Sequence, residues 1–205
     1  MRRFIITGTG RCGTQWISTA MRVIGYRVGH ESVFTPRSLR SDSWRAKLDR
    51  LQCGCSWLAM ARLNEIPPDV AVIQLVREPL AVIRSLYGIQ FFDEPGEYVD
   101  VARAATGIEG GGIEACARFW LEANQLIRKR AELVVRVEDP HATLCAIVSL
   151  IDPAREVSDR IIASVVRNVP SNMNARKRGD VSWADVPEPL RNDIERLAQE
   201  FGYGP

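Results

Sequence analysis

The fold is decided near the start of the chain by Phe4-Ile5-Ile6-Thr7-Gly8-Thr9-Gly10-Arg11-Cys12-Gly13-Thr14-Gln15-Trp16. Residues 3–7 are mostly apolar and predict a short buried strand, and residues 14–24 carry apolar side chains at helical spacing and predict an amphipathic helix. The glycine-rich segment between them forms the turn. Because such a turn aims unpaired backbone N–H groups and the positive end of the helix at one point, the sequence predicts an anion-binding loop.

Strand and helix patterns alternate along the rest of the chain. The near-continuous apolar run 70–76 predicts a strand covered on both faces, and Pro79 predicts the start of a helix that continues to about Tyr87. The remaining segments are a strand at 26–28, a loop or loose helix at 35–50, a helix at 113–130, a strand at 133–135, a helix at 144–151 and a closing helix with Leu190, Ile194, Leu197 and Phe201 on one face. We therefore expect an α/β fold, a three-layer sandwich with a central parallel sheet and a P-loop-like phosphate-binding loop.

Composition and charge narrow the class of protein. The 205 residues show no internal repeat or linker and are 46% hydrophobic, which predicts a single domain over residues 1–205. A net charge of +2 is too small to indicate a nucleic-acid partner. No apolar run reaches the roughly 18 residues that span a bilayer, and no secretory signal precedes the first strand, so we expect a cytoplasmic protein. The five cysteines form no metal-ligand pattern beyond a lone C-x-C at 53–55, so we expect no metal site.

Three kinds of chemistry use a loop of this shape. Residues 8–13 fit the dinucleotide pattern G-x-G-x-x-G, and Glu31 lies about where an acid binds the ribose. The two outer glycines also have the spacing of the nucleoside triphosphate loop, but Thr14 stands at its lysine position and Gln15 at the position of its magnesium-binding hydroxyl. The third chemistry places a cation, Arg11, inside the loop and needs no magnesium.

The loop resembles the 5′-phosphosulfate loop of the sulfotransferase superfamily, in the form of a small bacterial-type member. In that family a lysine or arginine is followed by Ser-Gly-Thr and often by an aromatic residue, whereas here Cys12 replaces the serine and Gln15 replaces a common threonine or serine. The resemblance implies 3′-phosphoadenosine-5′-phosphosulfate as the donor, 3′,5′-ADP as the product and no required metal. The loop residues implied in donor binding are Gly10, Arg11, Cys12, Gly13, Thr14, Gln15 and Trp16. Trp16 either stacks on the adenine or packs in the core.

A second segment, Leu75-Val76-Arg77-Glu78-Pro79-Leu80-Ala81-Val82-Ile83-Arg84-Ser85, resembles the 3′-phosphate motif of the same family. In that motif an arginine ends a strand and a serine follows eight residues later in the next helix. Arg77 would emerge at the carboxyl end of a strand, where ligands of open α/β sheets bind. A guanidinium offers phosphate oxygens a planar fork of donors, and Ser85 adds a neutral one. We therefore expect Arg77 and Ser85 to bind the 3′-phosphate.

Two further segments extend the resemblance over nearly the whole chain. Arg176-Lys177-Arg178-Gly179 is similar to the family's C-terminal Arg-Lys-Gly segment, which folds over the 3′-phosphate, with Arg178 inserted before the glycine. This similarity implies that Arg176, Lys177 and Arg178 bind the donor. Arg136-Val137-Glu138-Asp139 resembles a strand-end segment that is often Arg-Tyr-Glu-Asp. The resemblance implies a sulfotransferase that moves a sulfuryl group to an acceptor hydroxyl or amine.

The resemblance also implies catalytic residues. Arg11 is expected to act on the charge that develops as the donor bond breaks. Glu31 is the first candidate for the general base and His30 the second, because the glutamate-using branches of the family place their acid at the end of this strand. We expect the acceptor to be a small molecule, a glycan or a lipid. By position alone, Ser56-Trp57 and the loop 91–94 are predicted to line its pocket.

Other functions stay open at this point. A P-loop kinase or NTPase would use Glu138 or Asp139 as the acid for its metal and would depend on magnesium. A non-catalytic nucleotide-binding module would bind 3′,5′-ADP without transferring anything. The dinucleotide oxidoreductase ranks last, because it leaves Arg77, Ser85 and the cations at 176–178 without a function.

Overall fold

The computed structural model describes residues 1–155, 157–170 and 179–204. Four strands form the sheet: β1 (Phe4–Gly8), β2 (Cys53–Cys55), β3 (Ala71–Val76) and β4 (Leu133–Arg136). Their order is β2-β1-β3-β4, and every pairing is parallel. The predicted α/β class with a central parallel sheet is confirmed.

Side chains on the strands alternate between two apolar cores, one on each face of the sheet. Ile5 and Val72 point into one core, and Ile6 and Ile73 point into the other. All residues of β3 are buried, as expected for a strand covered on both sides. Helices therefore lie on both faces and give the three layers that the sequence predicts.

The first core is covered mainly by α4 (Pro79–Tyr87), α6 (Gly112–Arg128) and α9 (Glu188–Glu200). Also on that side lie α2 (Pro36–Arg40), α3 (Trp44–Leu51), α5 (Glu97–Thr106) and a 3₁₀ segment, Trp57–Glu65. The second core is covered by α1 (Thr14–Ile24), α7 (Pro140–Ile151) and α8 (Asp159–Asn168). A short 3₁₀ turn, Trp183–Asp185, precedes α9. No helix within the described ranges is both long and apolar enough to cross a bilayer.

The predictions for α1 and α4 match the observed bounds, but the strand predicted at 26–28 is wrong. The chain there makes only an isolated parallel bridge, between His30 and Cys55, because the neighbouring strand β2 is three residues long and offers little edge to pair with. The stretch 35–50, predicted as a loop or loose helix, forms α2 and α3. The helices α5 and α8 were not predicted.

All four strands end at the same edge of the sheet, which we call the carboxyl edge. The glycine loop follows β1 there, Arg77 follows β3, and Val137 follows β4. His30 reaches the same edge through its bridge to Cys55, the last residue of β2. Ligands of open parallel sheets bind at this edge, so the topology brings the separate sequence motifs to one place.

Candidate functional site

The glycine loop is packed tightly between the ends of its neighbouring strands. A Cβ added at Gly8 would lie 2.1 Å from the Leu75 carbonyl oxygen and 2.6 Å from the Cys12 sulfur. Gly13 has a φ of 103°, and a Cβ there would lie 2.7 Å from Cγ2 of Val137. Two of the loop glycines are thus required by close approach, and one of them also by a backbone conformation that favours glycine.

The helix that follows the loop begins without a side-chain cap. Gly13 is the N-cap residue of α1, no side chain among the described residues caps the helix there, and the first turn holds no acidic residue. Thr35, Glu78 and Asp139 cap α2, α4 and α7 with their side chains, whereas α3, α5, α6, α8 and α9 resemble α1 in having no such cap from the described residues. The positive end of α1 is therefore compensated by no carboxylate of its own first turn, as an anion-binding helix terminus requires.

Three predicted donor-binding side chains meet at the carboxyl edge. Arg11 Nε donates to Ser85 Oγ at 2.9 Å, and Arg77 NH1 donates to the backbone carbonyl of Arg11 at 3.0 Å. The indole of Trp120, fully buried on α6, donates to the carbonyl of Arg77 at 3.1 Å and fixes the end of β3. The structure thus joins the two motifs that the sequence assigned to opposite ends of one nucleotide.

The acids nearest this cluster are already engaged by donors of the chain. Glu78 accepts from the backbone N–H groups of Leu80 and Ala81 at the start of α4. Glu138 accepts from the N–H of Glu78 at 2.9 Å and from the hydroxyl of Tyr203 at 2.8 Å. Asp139 caps α7. The two carboxylates that a metal-dependent phosphotransferase would use therefore serve as backbone acceptors or caps in this fold.

Cys12 lies in the loop but its side chain faces the core. It is fully buried, and this burial raises the pKa of the thiol to about 12, although nearby backbone donors and Arg77 act in the opposite direction. The thiol is therefore neutral and packs at the position where the loop motif that this one resembles has a serine. With its thiol in the core, Cys12 can contact a bound anion only through its backbone N–H.

The next loop residues divide between the site and the core. Trp16 is only 6% exposed, and its indole N–H donates to the carbonyl of Val169 at 3.3 Å. Trp16 therefore packs in the second core, and its part in donor binding stays a prediction. Thr14 is buried, with Oγ1 lying 3.2 Å from Nε2 of His30, and the carbonyl of Gln15 accepts from the Ser18 hydroxyl in the first turns of α1.

Glu31 and His30 lie side by side at the same edge. The backbone N–H of Glu31 donates to the Cys55 carbonyl at 2.9 Å, and its φ is 51°. Its Oε2 accepts from the hydroxyl of Tyr98 at 3.0 Å, while Oε1 lies 3.8 Å from Nε2 of His30. The structure therefore places both candidate bases together and joins them through Thr14 to the start of α1.

The pKa of His30 lies below its ordinary value. Burial is the main cause because it disfavours the imidazolium, the Arg22 guanidinium acts in the same direction, and the Glu31 carboxylate opposes both. A neutral imidazole is thus the prevailing form at pH 7, and it is able to accept a proton.

We expect two substitutions to move the His30 titration in opposite directions. Glu31→Gln removes the charge that favours the imidazolium and should lower the pKa of His30 further, whereas Arg22→Gln should raise it. The chain has two histidines, so NMR titration of the ring signals resolves His30, with His141→Gln identifying the other signal. A shift of the same sign in both variants would contradict the described arrangement of charges.

Aromatic rings form a wall beside the loop and Glu31. Trp57 contacts Phe91, Tyr98 and Phe119, with ring centroids 6.0, 6.1 and 5.9 Å away. A Cβ added at Gly10 would meet this wall at ordinary contact distances. The predicted participation of Trp57 and Phe91 in an acceptor pocket is compatible with their place. Ser56, predicted with them, is buried and caps the 3₁₀ segment instead.

No family model matches the sequence, and no curated protein matches it. Among solved structures, the crystal structure of mouse SULT7A1 complexed with PAP is similar at 15% identity and a TM-score of 0.49, over 94% of this chain and 74% of that one. That solved structure is a sulfotransferase.

The predicted cations Arg176, Lys177 and Arg178 lie outside the described residues. The described chain on either side contacts the site helices: the carbonyl of Val169 accepts from Trp16 of α1, and the N–H of Gly179 donates to the carbonyl of Arg84 on α4 at 3.0 Å. Their assignment to the donor stays a prediction.

Sequence reasoning missed Tyr98 and Trp120. Tyr98 belongs to α5, a ten-residue helix that buries Val99 and Ala102. The glycines before and after α5 were the available signal for its bounds. Trp120 lies in a helix that was predicted, but nothing in its spacing indicates a hydrogen bond to the end of β3.

Proposed function

We propose that this protein is a sulfotransferase that uses 3′-phosphoadenosine-5′-phosphosulfate and transfers its sulfuryl group to an acceptor hydroxyl or amine. One observation carries the proposal: Arg11, Ser85 and Arg77 form one hydrogen-bonded cluster beside an α1 N-terminus that has no side-chain cap. This cluster fits a multiply charged anion, because the first turn of α1 holds no acidic residue and the adjacent acids are occupied by other donors. We propose a small molecule, a glycan or a lipid as the acceptor.

In this proposal the loop and the cluster bind different phosphates of the sulfuryl donor. The N–H groups at the start of α1 and the guanidinium of Arg11 hold the 5′-phosphate, and Arg77 with Ser85 holds the 3′-phosphate. Arg11 and Arg77 each exchange an acceptor within the chain for a phosphate oxygen, so binding replaces the bond from Arg11 to Ser85. Arg176, Lys177 and Arg178 add positive charge in this proposal.

The donor supplies the sulfuryl group: a bond forms from the acceptor oxygen or nitrogen to sulfur, and the bond from sulfur to the phosphate oxygen breaks. Glu31, or His30 as the second candidate, takes the proton that leaves the acceptor. Arg11 stabilises the negative charge that develops on the phosphate oxygen as it departs in 3′,5′-ADP. Removal of one such preorganised donor typically costs about 3 kcal/mol of transition-state stabilisation.

Calorimetry without metal tests the proposal directly. We expect 3′,5′-ADP to bind at least about 100-fold more tightly than ADP, since the 3′-phosphate adds charge-assisted hydrogen bonds worth about 2.7 kcal/mol. Transfer of ³⁵S from labelled donor to 2-naphthol, a sterol and an amino sugar then tests catalysis. Equal affinity for 3′,5′-ADP and ADP would overturn the donor assignment.

The two alternative functions give different results in the same experiments. Activity that depends on magnesium and ATP would favour the phosphotransferase, although Glu138 and Asp139 are held by donors of the chain. Selective binding of 3′,5′-ADP without transfer to any acceptor would favour the non-catalytic nucleotide-binding module.

A further inference from the structure

We propose that Tyr98 is a positioning residue, which holds the Glu31 carboxylate in the orientation needed to accept the proton of the acceptor. The catalytic half of this inference rests on the proposed function, whereas the positioning half concerns only the geometry of the chain. The Tyr98 hydroxyl donates to Oε2 of Glu31 at 3.0 Å from α5, a helix that the sequence motifs do not include.

The backbone of Glu31 is fixed, so the remaining freedom is in its side chain. Its N–H is bonded to the carbonyl of Cys55 and its φ of 51° places it in a turn directly after the bridge of His30 to β2. With the backbone held, the orientation of the carboxylate depends on what binds its two oxygens. Oε2 is bonded to Tyr98, and Oε1 lies 3.8 Å from His30, beyond hydrogen-bond distance.

The phenol ring is itself held in place. Tyr98 lies against Trp57 with the ring planes 31° apart, and Trp57 packs edge-on against Phe119 and Phe91. Although 40% of Tyr98 is exposed, one face of the ring is therefore supported. The hydroxyl approaches Glu31 from a rigid wall, as a positioning residue requires.

The environment of the Tyr98–Glu31 pair keeps the Tyr98 hydroxyl protonated, so this hydroxyl is the hydrogen-bond donor. Burial and then the Glu31 charge raise the pKa of the Tyr98 phenol to about 12. The phenol therefore keeps its proton at the pH values at which most enzymes are active. The neighbouring Glu97 is paired with Arg40 at 2.6 Å. On the other side of Glu31, burial raises the pKa of the Cys55 thiol well above its ordinary value, so it is neutral.

The two carboxylate oxygens of Glu31 therefore have different roles. Oε2 is engaged by a neutral donor that does not give up its proton, which leaves Oε1 to receive a proton. Oε1 is the oxygen on the side of His30, whose Nε2 lies 3.2 Å from Thr14 Oγ1 at the start of α1. Tyr98 therefore directs the basic oxygen towards the phosphate loop.

The test uses the full chain, with NMR titration of His30 as a readout that needs no acceptor. Tyr98→Phe keeps the ring against Trp57 but removes the hydroxyl, so the Glu31 charge acts more strongly on the imidazole. We expect the pKa of His30 to rise. Within the described part of the chain, the charges that act on His30 are those of Glu31 and Arg22, and the Thr14 hydroxyl lies within hydrogen-bond distance; Tyr98→Phe leaves Arg22 and Thr14 unchanged.

Two controls separate positioning from a merely structural effect. In a Glu31→Gln background, Tyr98→Phe should shift the His30 titration no further, because the effect is transmitted by the carboxylate. Tyr203→Phe is the matched control: it removes a phenol hydroxyl from another glutamate at the carboxyl edge, Glu138, and should leave His30 unchanged. An unchanged His30 titration in Tyr98→Phe overturns the positioning role.

The catalytic half is measured with ³⁵S transfer to 2-naphthol. Tyr98→Phe should lower kcat about tenfold and leave the affinity for 3′,5′-ADP unchanged. A wild-type chain that fails to discriminate 3′,5′-ADP from ADP would refute the proposed function while the His30 result still stands. An unchanged kcat together with a shifted His30 titration would refute the catalytic half alone.

Discussion

Arg77→Ala should weaken the binding of 3′,5′-ADP by about 100-fold, equivalent to about 2.7 kcal/mol, while ADP affinity falls much less. The guanidinium leaves the carboxyl end of β3 and reaches the loop, where NH1 contacts the carbonyl of Arg11. In the proposed complex it turns its fork of donors to the 3′-phosphate, which ADP lacks. The ratio of the two affinities, measured by calorimetry, isolates that phosphate from any general effect on the loop.

The controls for Arg77 separate charge from geometry. Arg77→Lys keeps the positive charge but loses the planar fork, so it should recover only part of the preference for 3′,5′-ADP. Arg118→Ala makes the same change of net charge on α6, where the side chain pairs with Glu114 on the exposed surface, and should leave both affinities unchanged. If Arg77→Ala kept the wild-type ratio of affinities, the 3′-phosphate would have to be bound elsewhere.

Much of the fold follows from local sequence pattern. The apolar run that forms β3 and the proline that opens α4 each act within a few residues, so the sequence alone predicts both. The prediction of a strand at 26–28 was wrong because strand formation depends on a partner elsewhere in the chain. An extended segment becomes a strand only where a partner offers an edge, and β2, with three residues, offers one bridge.

In the candidate site, too, some features follow from local sequence pattern and others depend on tertiary packing. The loop, Arg77 and Ser85 could be predicted from the sequence because each belongs to a local motif that resembles a sulfotransferase motif. The bond from Arg11 to Ser85 could not, since it joins residues 74 positions apart and depends on β1 and β3 being neighbours in the sheet. Tyr98 was missed for a similar reason, because only tertiary packing brings α5 to Glu31.

Gly8→Ala should destabilise the protein by about 3 kcal/mol and lower its Tm by roughly 6–12 °C. The added methyl group would lie 2.1 Å from the carbonyl oxygen of Leu75, which belongs to the backbone of β3 and is fixed by the sheet. The Cys12 sulfur would lie 2.6 Å from the same methyl group and prevents it from moving in that direction. The strain must then be relieved by moving β1 away from β3, which disturbs the sheet below the loop. Thermal and urea unfolding measure the loss.

Gly10→Ala is the matched control from the same loop, and it should leave stability nearly unchanged. Its methyl group would meet Phe119, Leu86 and Trp57 at 3.7 Å or more, which is ordinary contact. The two glycines therefore have different reasons for being present, even though both belong to one sequence pattern. Gly8 is required because two strands and a thiol close on it, and this is a constraint of packing rather than of ligand binding. Equal destabilisation by the two substitutions would show that the loop needs glycine for its backbone conformation throughout, and would refute the packing explanation.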